Sequence, residues 1–368
     1  MTEKPISICA LMLDPYDTNP GQRFRLEQWE PYLNKLGIEV EYFSFTDAKL
    51  RDVLYKDGHL IRKATGMIRA VGRRIGQIRG VSNYDAVYLF RTASMIGPAN
   101  LERSLKKYRI PVIFDFDDAI YLTNTSNANR RFGWLKFAGK TAEICMLSDA
   151  VMVGNSHLGT FAAKHNKNVY VVPTSINTDL YKPRTEKRNH NGRTIIGWTG
   201  SSTSQYHLEE FEPVLAELFK RRDDIEIRVI SDREPAFKTV PYSWKKWSSE
   251  KEIELTEEID IGIMPTPDDE WSRGKCAAKA LQYMALGIPA ICTDMGANRD
   301  VVVSGENGFL ASSQEQWLEC FDKLIDDKKL RRKMGAKARK TVVENYSMTK
   351  SAELFADVVR KFVKRDRV

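Results

Sequence analysis

The sequence predicts an α/β fold made of two doubly wound parallel sheets, one in each of two domains. Short apolar runs rich in Val, Ile and Phe recur along the 368 residues, and segments of helical pattern lie between them. Most runs are continuous rather than alternating, as expected for strands that helices cover on both faces. One polar break near the middle divides the chain into halves of similar size, each long enough to bury a core.

Ten segments are predicted as strands, and the segments between them are long enough for crossover helices. They are 6–13, 40–45, 86–91, 112–116, 150–154 and 169–173 in the first half, then 194–200, 225–230, 259–265 and 289–293 in the second. In such sheets ligands bind at the carboxyl ends of the strands, and two such domains create a cleft between them. The loops that follow strands are therefore the places to look for a site.

The polar break predicts the domain boundaries. Residues 183–193 contain Pro183 and Gly192 without apolar periodicity, so we interpret them as a linker between domains 1–182 and 194–345. The final segment, 346–368, carries apolar residues at spacings of three or four. This pattern is typical of an amphipathic helix that packs on a core, and we expect it to return to the N-terminal domain.

The positive charge is concentrated in one segment. The chain has 57 Lys and Arg against 49 Asp and Glu, a formal net charge of +8. Residues 49–79 hold nine basic and two acidic residues, so the rest of the chain is nearly neutral. The high isoelectric point is therefore a property of one segment and not of a generally polyanion-binding surface.

Cysteine usage and hydropathy indicate a cytoplasmic protein. The five cysteines form no CxxC pair, which argues against a disulfide framework or a thiolate zinc site and favours a reducing compartment. The longest apolar runs are far shorter than the roughly 20 residues that cross a bilayer, and no signal-peptide pattern opens the chain.

Two loops of the first half carry candidate binding groups. After the first strand, Gly21, Gln22 and Arg23 lead into a helix, where free N–H groups and arginines suit an anion or polar substrate. A plain strand-to-helix turn with surface arginines is the alternative. The fourth strand ends in Asp117 and Asp118, which point to a carboxylate at the sheet edge or, alternatively, to a helix cap.

The second half offers an anion site. Gly200, Ser201 and Ser202 form a small loop between a strand and a helix, which lets a phosphate approach backbone amides closely. Further on, Arg273, Lys275 and Lys279 surround the start of another helix, and cations beside helix-start amides suit a diphosphate. Gln282 lies on the same helix, where it can face the same ligand.

In these features the sequence resembles the family 4 glycosyltransferases of the GT-B fold, which transfer sugar from a nucleotide donor with retention of configuration. The similar segments, spread over nearly the whole chain, are the Gly21 loop, 173–179, 197–202, 282–289, and the block 296–310 that begins at Gly296. The chain departs from the family's Glu-x7-Glu motif, because Gly274 and Gln282 occupy the two positions. Gln282 can still bond ribose hydroxyls, whereas Gly274 cannot replace a carboxylate.

The resemblance implies how these residues act. Lys279 and Arg273 would hold the diphosphate, Gln282 the ribose, and Asp117 or Asp118 the hydroxyls of the sugar or acceptor. We therefore predict Asp117, Asp118, Arg273 and Lys279 as catalytic residues. The predicted donor-binding residues are Gly21, Gln22, Arg23, Gly200, Ser201, Ser202, Lys275, Gln282 and Gly296. The family needs no cofactor, no metal and no protein nucleophile, and the acceptor would be a glycan or lipid-linked glycan of a cell-surface polysaccharide.

The basic segment suggests a further partner. Between residues 60 and 78, apolar residues recur at helical spacing with Arg and Lys largely between them. Such a helix suits an anionic membrane surface, which would place the protein peripherally at the inner face of the plasma membrane. A core-facing stripe with a solvated basic face is the alternative. No nucleic-acid motif accompanies the charge, so nucleic acid is not an expected partner.

Three other functions remain open from the sequence. A sugar-nucleotide epimerase shares the two-domain architecture but needs acid and base residues in the cleft. A metal-dependent transferase of the GT-A type would use the aspartates of 115–118 as ligands, although that fold does not supply a second Rossmann-like half. The absence of the first hallmark glutamate also fits a non-catalytic membrane-binding module with a degenerate donor site.

Overall fold

The computed structural model describes residues 4–122, 133, 135–184 and 192–363. Its backbone forms two compact units, Met1–Thr174 with Met348–Val368, and Ser175–Ser347. The chain thus changes unit after Thr174, ahead of the predicted linker 183–193, whose residues 185–191 lie outside the described ones. Residues 175–181 join the second unit because their backbone is bonded to it: the Ile176 N–H donates to the Tyr346 carbonyl at 2.9 Å.

The first unit is built on a six-stranded parallel sheet. Its strands are β1 (Ile6–Met12), β2 (Ile38–Ser44), β3 (Ala86–Phe90), β4 (Val112–Phe116), β5 (Ala150–Val153) and β6 (Val169–Val171). They lie in the order β2-β1-β3-β4-β5-β6, and every neighbouring pair is parallel. The strand order reverses between β1 and β3, so this pair marks the switch point at which such sheets bind ligands.

Eight α-helices of the described chain cover this sheet. They are α1 (Pro20–Arg25), α2 (Glu30–Lys35), α3 (Ala48–Leu54), α4 (Leu60–Arg79), α5 (Asn100–Leu105), α6 (Lys140–Leu147), α7 (Ser156–Ala163) and α16 (Met348–Phe362). The last of them confirms the predicted return of the C-terminal helix. Its buried Ala352, Phe355 and Val359 share one core with Trp29 and Tyr88 of the N-terminal region.

The second unit has its own six-stranded parallel sheet. Its strands are β7 (Thr194–Gly200), β8 (Ile225–Ser231), β9 (Tyr242–Lys246), β10 (Ile261–Met264), β11 (Ala290–Thr293) and β12 (Gly308–Ala311). Their order, β12-β11-β10-β7-β8-β9, places the switch point between β7 and β10. Close packing fixes this junction: a Cβ on Gly262 would lie 2.3 Å from the Tyr283 ring, whose hydroxyl accepts from the Thr199 N–H at 2.7 Å.

Eight further α-helices lie on the second sheet. They are α8 (Ser202–Glu210), α9 (Glu212–Arg221), α10 (Glu252–Thr256), α11 (Glu270–Arg273), α12 (Ala278–Ala285), α13 (Gly296–Val301), α14 (Gln314–Asp326) and α15 (Lys328–Asn345). Buried aromatic and aliphatic residues from β7, α9 and α14 form the core on one side of the sheet.

All ten predicted strands are present, with ends shifted by a few residues, and two further strands were not predicted. These two, β9 and β12, are the edge strands of the second sheet. Edge strands are often short and polar because one side meets solvent. The sequence Tyr-Ser-Trp-Lys-Lys of β9 and the four residues of β12 therefore lack the continuous apolar run that identifies a central strand.

Candidate active site

The second unit gathers a cluster of cations at its switch point. Gly200 ends β7, and the loops that leave β10 lead through α11 to α12. A Cβ on Gly200 would lie 2.5 Å from the Trp198 ring and 2.7 Å from Cε of Lys279, so only glycine fits below these two side chains. The ammonium of Lys279 lies 5.3 Å from the centre of the Trp198 ring, within range of a cation–π contact.

Two neighbouring lysines dominate the electrostatics of this cluster. Desolvation, with a smaller contribution from the nearby charge of Lys275, lowers the pKa of Lys279 to about 8. Burial together with Lys279 and Lys275 lowers the pKa of His207 on α8 to about 4, so this imidazole is neutral at pH 7. Two ammonium groups thus lie close together in partly desolvated surroundings, which favour the binding of an anion.

Backbone amides add to this cationic cluster. Helix α12 has no side-chain cap, and its preceding residue, Ala277, has a left-handed φ of 51°. The first intrahelical bond is donated by the Leu281 N–H to the Ala277 carbonyl, so the N–H groups of the first turn have no helical partner. Left-handed backbone at a non-glycine residue is costly and is concentrated at functional sites. These amides and the helix dipole favour the binding of a phosphate at the N-terminus of α12.

Two of the predicted residues already have carboxylate partners. The Arg273 guanidinium pairs with Asp268 through Nε and Nη2 at 2.7 and 3.1 Å and is largely exposed. Ser202 donates its N–H and hydroxyl to Asp232 at 2.5 and 2.8 Å. Ser201 precedes α8 as its N-cap but makes no capping bond through its side chain. A bound diphosphate would compete with Asp268 and Asp232, whereas Lys279 can meet it directly.

Gly296 brings a third loop to this edge of the sheet. It begins α13 after β11 with a φ of 46°, and a Cβ there would lie 3.0 Å from the Arg273 carbonyl oxygen. The glycine therefore permits both a left-handed turn and a close backbone contact. Gly200, Lys275, Lys279 and Gly296 thus lie in or beside the connections that follow the carboxyl ends of β7, β10 and β11.

Gln282 lies about one turn after Lys279 on α12, and hydrogen bonds fix the orientation of its amide. Its Nε2 donates to Oε1 of Glu252 at 3.0 Å and to the Tyr181 hydroxyl at 3.3 Å. Tyr181 in turn donates to Oε2 of the same glutamate at 2.8 Å. Because an ionised carboxylate only accepts hydrogen bonds, the NH2 group must face Glu252. The amide oxygen, a pure acceptor, is left facing away from this pair.

The first unit has a polar cluster at its own switch point. Arg91, at the end of β3, donates to Asp117 and Asp118 at 2.8 Å each. A Cβ on Gly21 would lie 3.0 Å from both the Arg91 guanidinium and the Asp117 carboxylate. The structure thus brings together three predicted residues and one that sequence analysis missed. Arg91 is the last residue of the predicted strand 86–91, and the sequence around it carries no signal that pairs it with Asp117 and Asp118.

The other acids and polar groups of these loops have structural contacts. Asp115 is fully buried beside Arg25 and Tyr88, so the acidic run is neutralised by two arginines and does not stand as one cluster. The buried Gln22 side chain accepts from the N–H of Asp14 at 2.7 Å and donates to the carbonyl of that residue at 3.0 Å. Arg23 pairs with Asp17 at 2.8 Å. Gln22 and Arg23 therefore stabilise the loop from within, and ligand contact through Gln22 would require these bonds to break.

The basic helix also differs from its predicted arrangement. Helix α4 spans Leu60–Arg79, and one of its predicted cations points inward. Arg74 is fully buried and donates to the Phe43 and Met12 carbonyls. The half-buried Arg73 pairs with Asp47 at 3.2 Å. Arg74 therefore does not belong to the predicted cationic face, because buried carbonyl oxygens at the strand ends accept its hydrogen bonds.

Within residues 4–122, 133, 135–184 and 192–363, no group of three or more His, Cys, Asp or Glu side chains has metal-binding geometry. In the same ranges, no helix is long and apolar enough to span a membrane.

Two parallel six-stranded sheets, each covered by its own helices, are the architecture of the GT-B fold. Residues 248–341 match the family model of glycosyl transferases group 1. This segment includes α11, α12 and the cations before them. No curated protein matches the chain at the required significance.

Solved structures with the same fold span nearly the entire chain. A glycosyltransferase from Rickettsia africae has a TM-score of 0.68 at 15% identity, covering 98% of this chain and 100% of that one. Sucrose-phosphate synthase from Thermosynechococcus elongatus gives 0.66 at 12%, covering 97% and 98%. Anabaena Alr3699/HepE, solved with UDP and glucose, gives 0.64 at 11%, covering 97% and 100%.

These structures confirm the predicted fold, and the family model confirms the resemblance to glycosyltransferases over residues 248–341. The narrower assignment to the retaining family 4 stays a prediction, as do the roles of the individual site residues.

Proposed function

We propose that this protein is a retaining glycosyltransferase that moves a sugar from a nucleotide-sugar donor to a glycan or lipid-linked acceptor of a cell-surface polysaccharide, on the cytoplasmic side of the membrane. The carrying observation is the pair Lys275 and Lys279 beside the uncapped N-terminus of α12. A diphosphate there would interact favourably with two neighbouring ammonium groups and with the helix-start amides. The similar HepE structure holds UDP-glucose, which supports a nucleotide sugar as the donor class.

The chemistry follows from where charge develops. The bond between the sugar C1 and the diphosphate oxygen breaks, and the acceptor oxygen forms its bond on the same face of the sugar. The acceptor proton passes to the departing phosphate oxygen, so no protein nucleophile is required. Lys279 and the amides of α12 would stabilise the negative charge on the leaving diphosphate. Lys275 would act as a second cation, and Arg273 could join by exchanging its Asp268 partner for phosphate.

In the first unit, we assign Asp117 and Asp118 to hydroxyl groups of the donor sugar or acceptor. Both carboxylates are held by Arg91, which fixes their position at the strand end. The backbone of the Gly21 loop approaches them closely and could contact the same ligand. Ionised, oriented carboxylates accept hydrogen bonds from sugar hydroxyls well.

The donor class is tested by thermal shift with UDP-, GDP-, ADP- and CMP-sugars. We expect one nucleotide series to raise the melting temperature by a few degrees, since ligand at a hundred times its Kd stabilises by about 2.7 kcal/mol. Transfer with the stabilising donor is then followed by NMR, and the product anomer should match the donor anomer. Inverted product would refute retention. Epimerised donor formed without acceptor would instead indicate an epimerase, and no shift with any series would indicate a degenerate site.

Glu252 is expected to matter for donor affinity although it would not touch the diphosphate. Glu252→Ala removes the group that fixes the Gln282 amide, so the amide oxygen no longer points reliably to a ribose hydroxyl. We expect the KM for donor to rise on the order of tenfold with kcat nearly unchanged, the cost of about one hydrogen bond to an oriented group.

The matched control is Glu254→Ala on the same helix, which should leave both constants near wild type. A donor with a 2′-deoxyribose gives the second readout: it should be a poorer substrate than the normal donor for wild type but not for Glu252→Ala. Equal discrimination by the two enzymes would show that Gln282 does not read the ribose.

A further inference from the structure

Helix α4 exposes an apolar stripe that no described part of the chain covers. Its members, called here the outer stripe, are Leu60, Ile61, Ala64, Ile68 and Ile75. Leu60, Ile61, Ile68 and Ile75 are 59%, 81%, 73% and 39% exposed. Three isoleucines at intervals of seven residues fall nearly on one line along the helix, over roughly 20 Å.

The outer stripe is not needed to hold the helix in place. The opposite face of α4 carries the buried Ala70, Arg74 and Ile78, and Arg74 is anchored on the carbonyls of Phe43 and Met12. Met67 and Val71 pack against the core formed with Phe45 and Leu50. Helix α4 therefore has two apolar faces, of which only one serves the fold. Large aliphatic side chains kept in water on one line are unusual for a monomer surface and mark an interaction site.

The charges around the stripe indicate what kind of surface it meets. The helix contains six Arg and Lys residues and no Asp or Glu. Three of them, Arg62, Arg69 and Arg79, form no ion pair with any residue that the structure describes. Arg62 and Arg69 border the stripe on one side, and Arg79 continues its line at the C-terminal end. Aliphatic residues edged by unpaired arginines match an anionic bilayer, which offers acyl chains below a layer of phosphates.

We infer that the outer stripe and its flanking arginines dock this protein on an anionic phospholipid surface, with α4 lying in the plane of the interface. A second copy of the chain fits less well, because a symmetric contact would bring the same unpaired arginines together. A nucleic acid fits less well too, since the isoleucines would gain nothing against its phosphate backbone. The inference is independent of the donor site, and it specifies which residues of the basic segment meet the membrane.

The test is flotation of the full-length protein with vesicles of phosphatidylcholine alone or with 30% phosphatidylglycerol. We expect binding to the anionic vesicles only, and a loss on the order of tenfold in Ile61→Gln/Ile68→Gln and in Arg62→Gln/Arg69→Gln. The matched controls lie on α15: Val343→Gln for apolar exposure and Arg332→Gln/Lys333→Gln for charge, both expected to bind like wild type. Melting temperatures of all variants should stay within a few degrees, since every substituted side chain is exposed.

Several outcomes would overturn the inference. Wild type that does not float with anionic vesicles refutes it, as does equal binding by wild type and both α4 variants. A concentration-dependent dimer in light scattering that Ile61→Gln/Ile68→Gln dissolves, without vesicle binding, would assign the stripe to a second copy. If the isoleucine variant still binds vesicles and the arginine variant does not, binding depends on charge alone and the outer stripe does not enter the bilayer. Because these assays contain no nucleotide sugar, a failed transfer assay leaves their interpretation unchanged.

Discussion

Lys279→Met is expected to lower kcat/KM for sugar transfer by about 10²–10³, the loss typical of removing one charged or hydrogen-bonding group from a developing anion. Lys279 lies over Trp198 and Gly200 at the switch point, where methionine can fill the same space without the charge. The measurement is initial rate with the donor identified by thermal shift. Lys323→Met is the matched control, because its ammonium also lies over an aromatic ring, 5.9 Å from the centre of Phe309, but in α14.

The pH profile separates this role of Lys279 from a structural one. Desolvation lowers the pKa of this lysine to about 8, so the free enzyme loses the charge as pH rises through that value. The kcat/KM of wild type should therefore fall above about pH 8, and the variant should lack that fall. The pKa of Lys279 is lower in the folded protein than in the unfolded chain. Below pH 8 the lysine is charged in both states, and its desolvation then lowers the stability of the folded protein. Lys279→Met should melt no lower than wild type; activity within a few-fold of wild type would contradict the assigned role.

Asp115→Ala is expected to destabilise the first unit by about 3–5 kcal/mol, because it leaves the Arg25 guanidinium buried without its counter-charge. Both side chains are fully buried. Arg25 donates to Asp115 through Nε at 2.9 Å and also reaches the Val172 carbonyl, so it ties α1 to β4 and to the end of β6. Urea unfolding followed by circular dichroism measures the loss, and the lower midpoint should be accompanied by a lower melting temperature.

Two comparisons give the Asp115 result its meaning. Asp224→Ala breaks a partly exposed pair with Arg222, which keeps its second partner Asp326, so this change should cost at most about 1 kcal/mol. The double variant Arg25→Met/Asp115→Leu removes both charges. We expect it to be more stable than Arg25→Met alone and than Asp115→Leu alone. Additive losses in the double variant would show that the two side chains are not energetically coupled.

Much of the candidate site could be predicted because its residues lie close in sequence to the ends of recognisable strands. Gly200, Lys275, Lys279 and Gly296 follow or precede recognisable strands, and parallel topology brings those loops to one edge. Arg91 was missed since nothing in a single Phe-Arg pair marks it as the partner of aspartates 26 residues later. Glu252 was missed because its partner Gln282 lies 30 residues later in the chain, on a different helix.

The class of fold, the central strands and the position of the cationic helix N-terminus follow from the sequence alone, because continuous apolar runs and local charge patterns are properties of neighbouring residues. Which polar groups are already partnered is established by the tertiary structure. It assigned Asp115 to Arg25, Arg74 to buried carbonyls and Arg273 to Asp268, and it left the isoleucines of α4 in solvent. Buried charges and carbonyls must find partners wherever the chain brings them together, and that requirement acts across distances that no sequence pattern records.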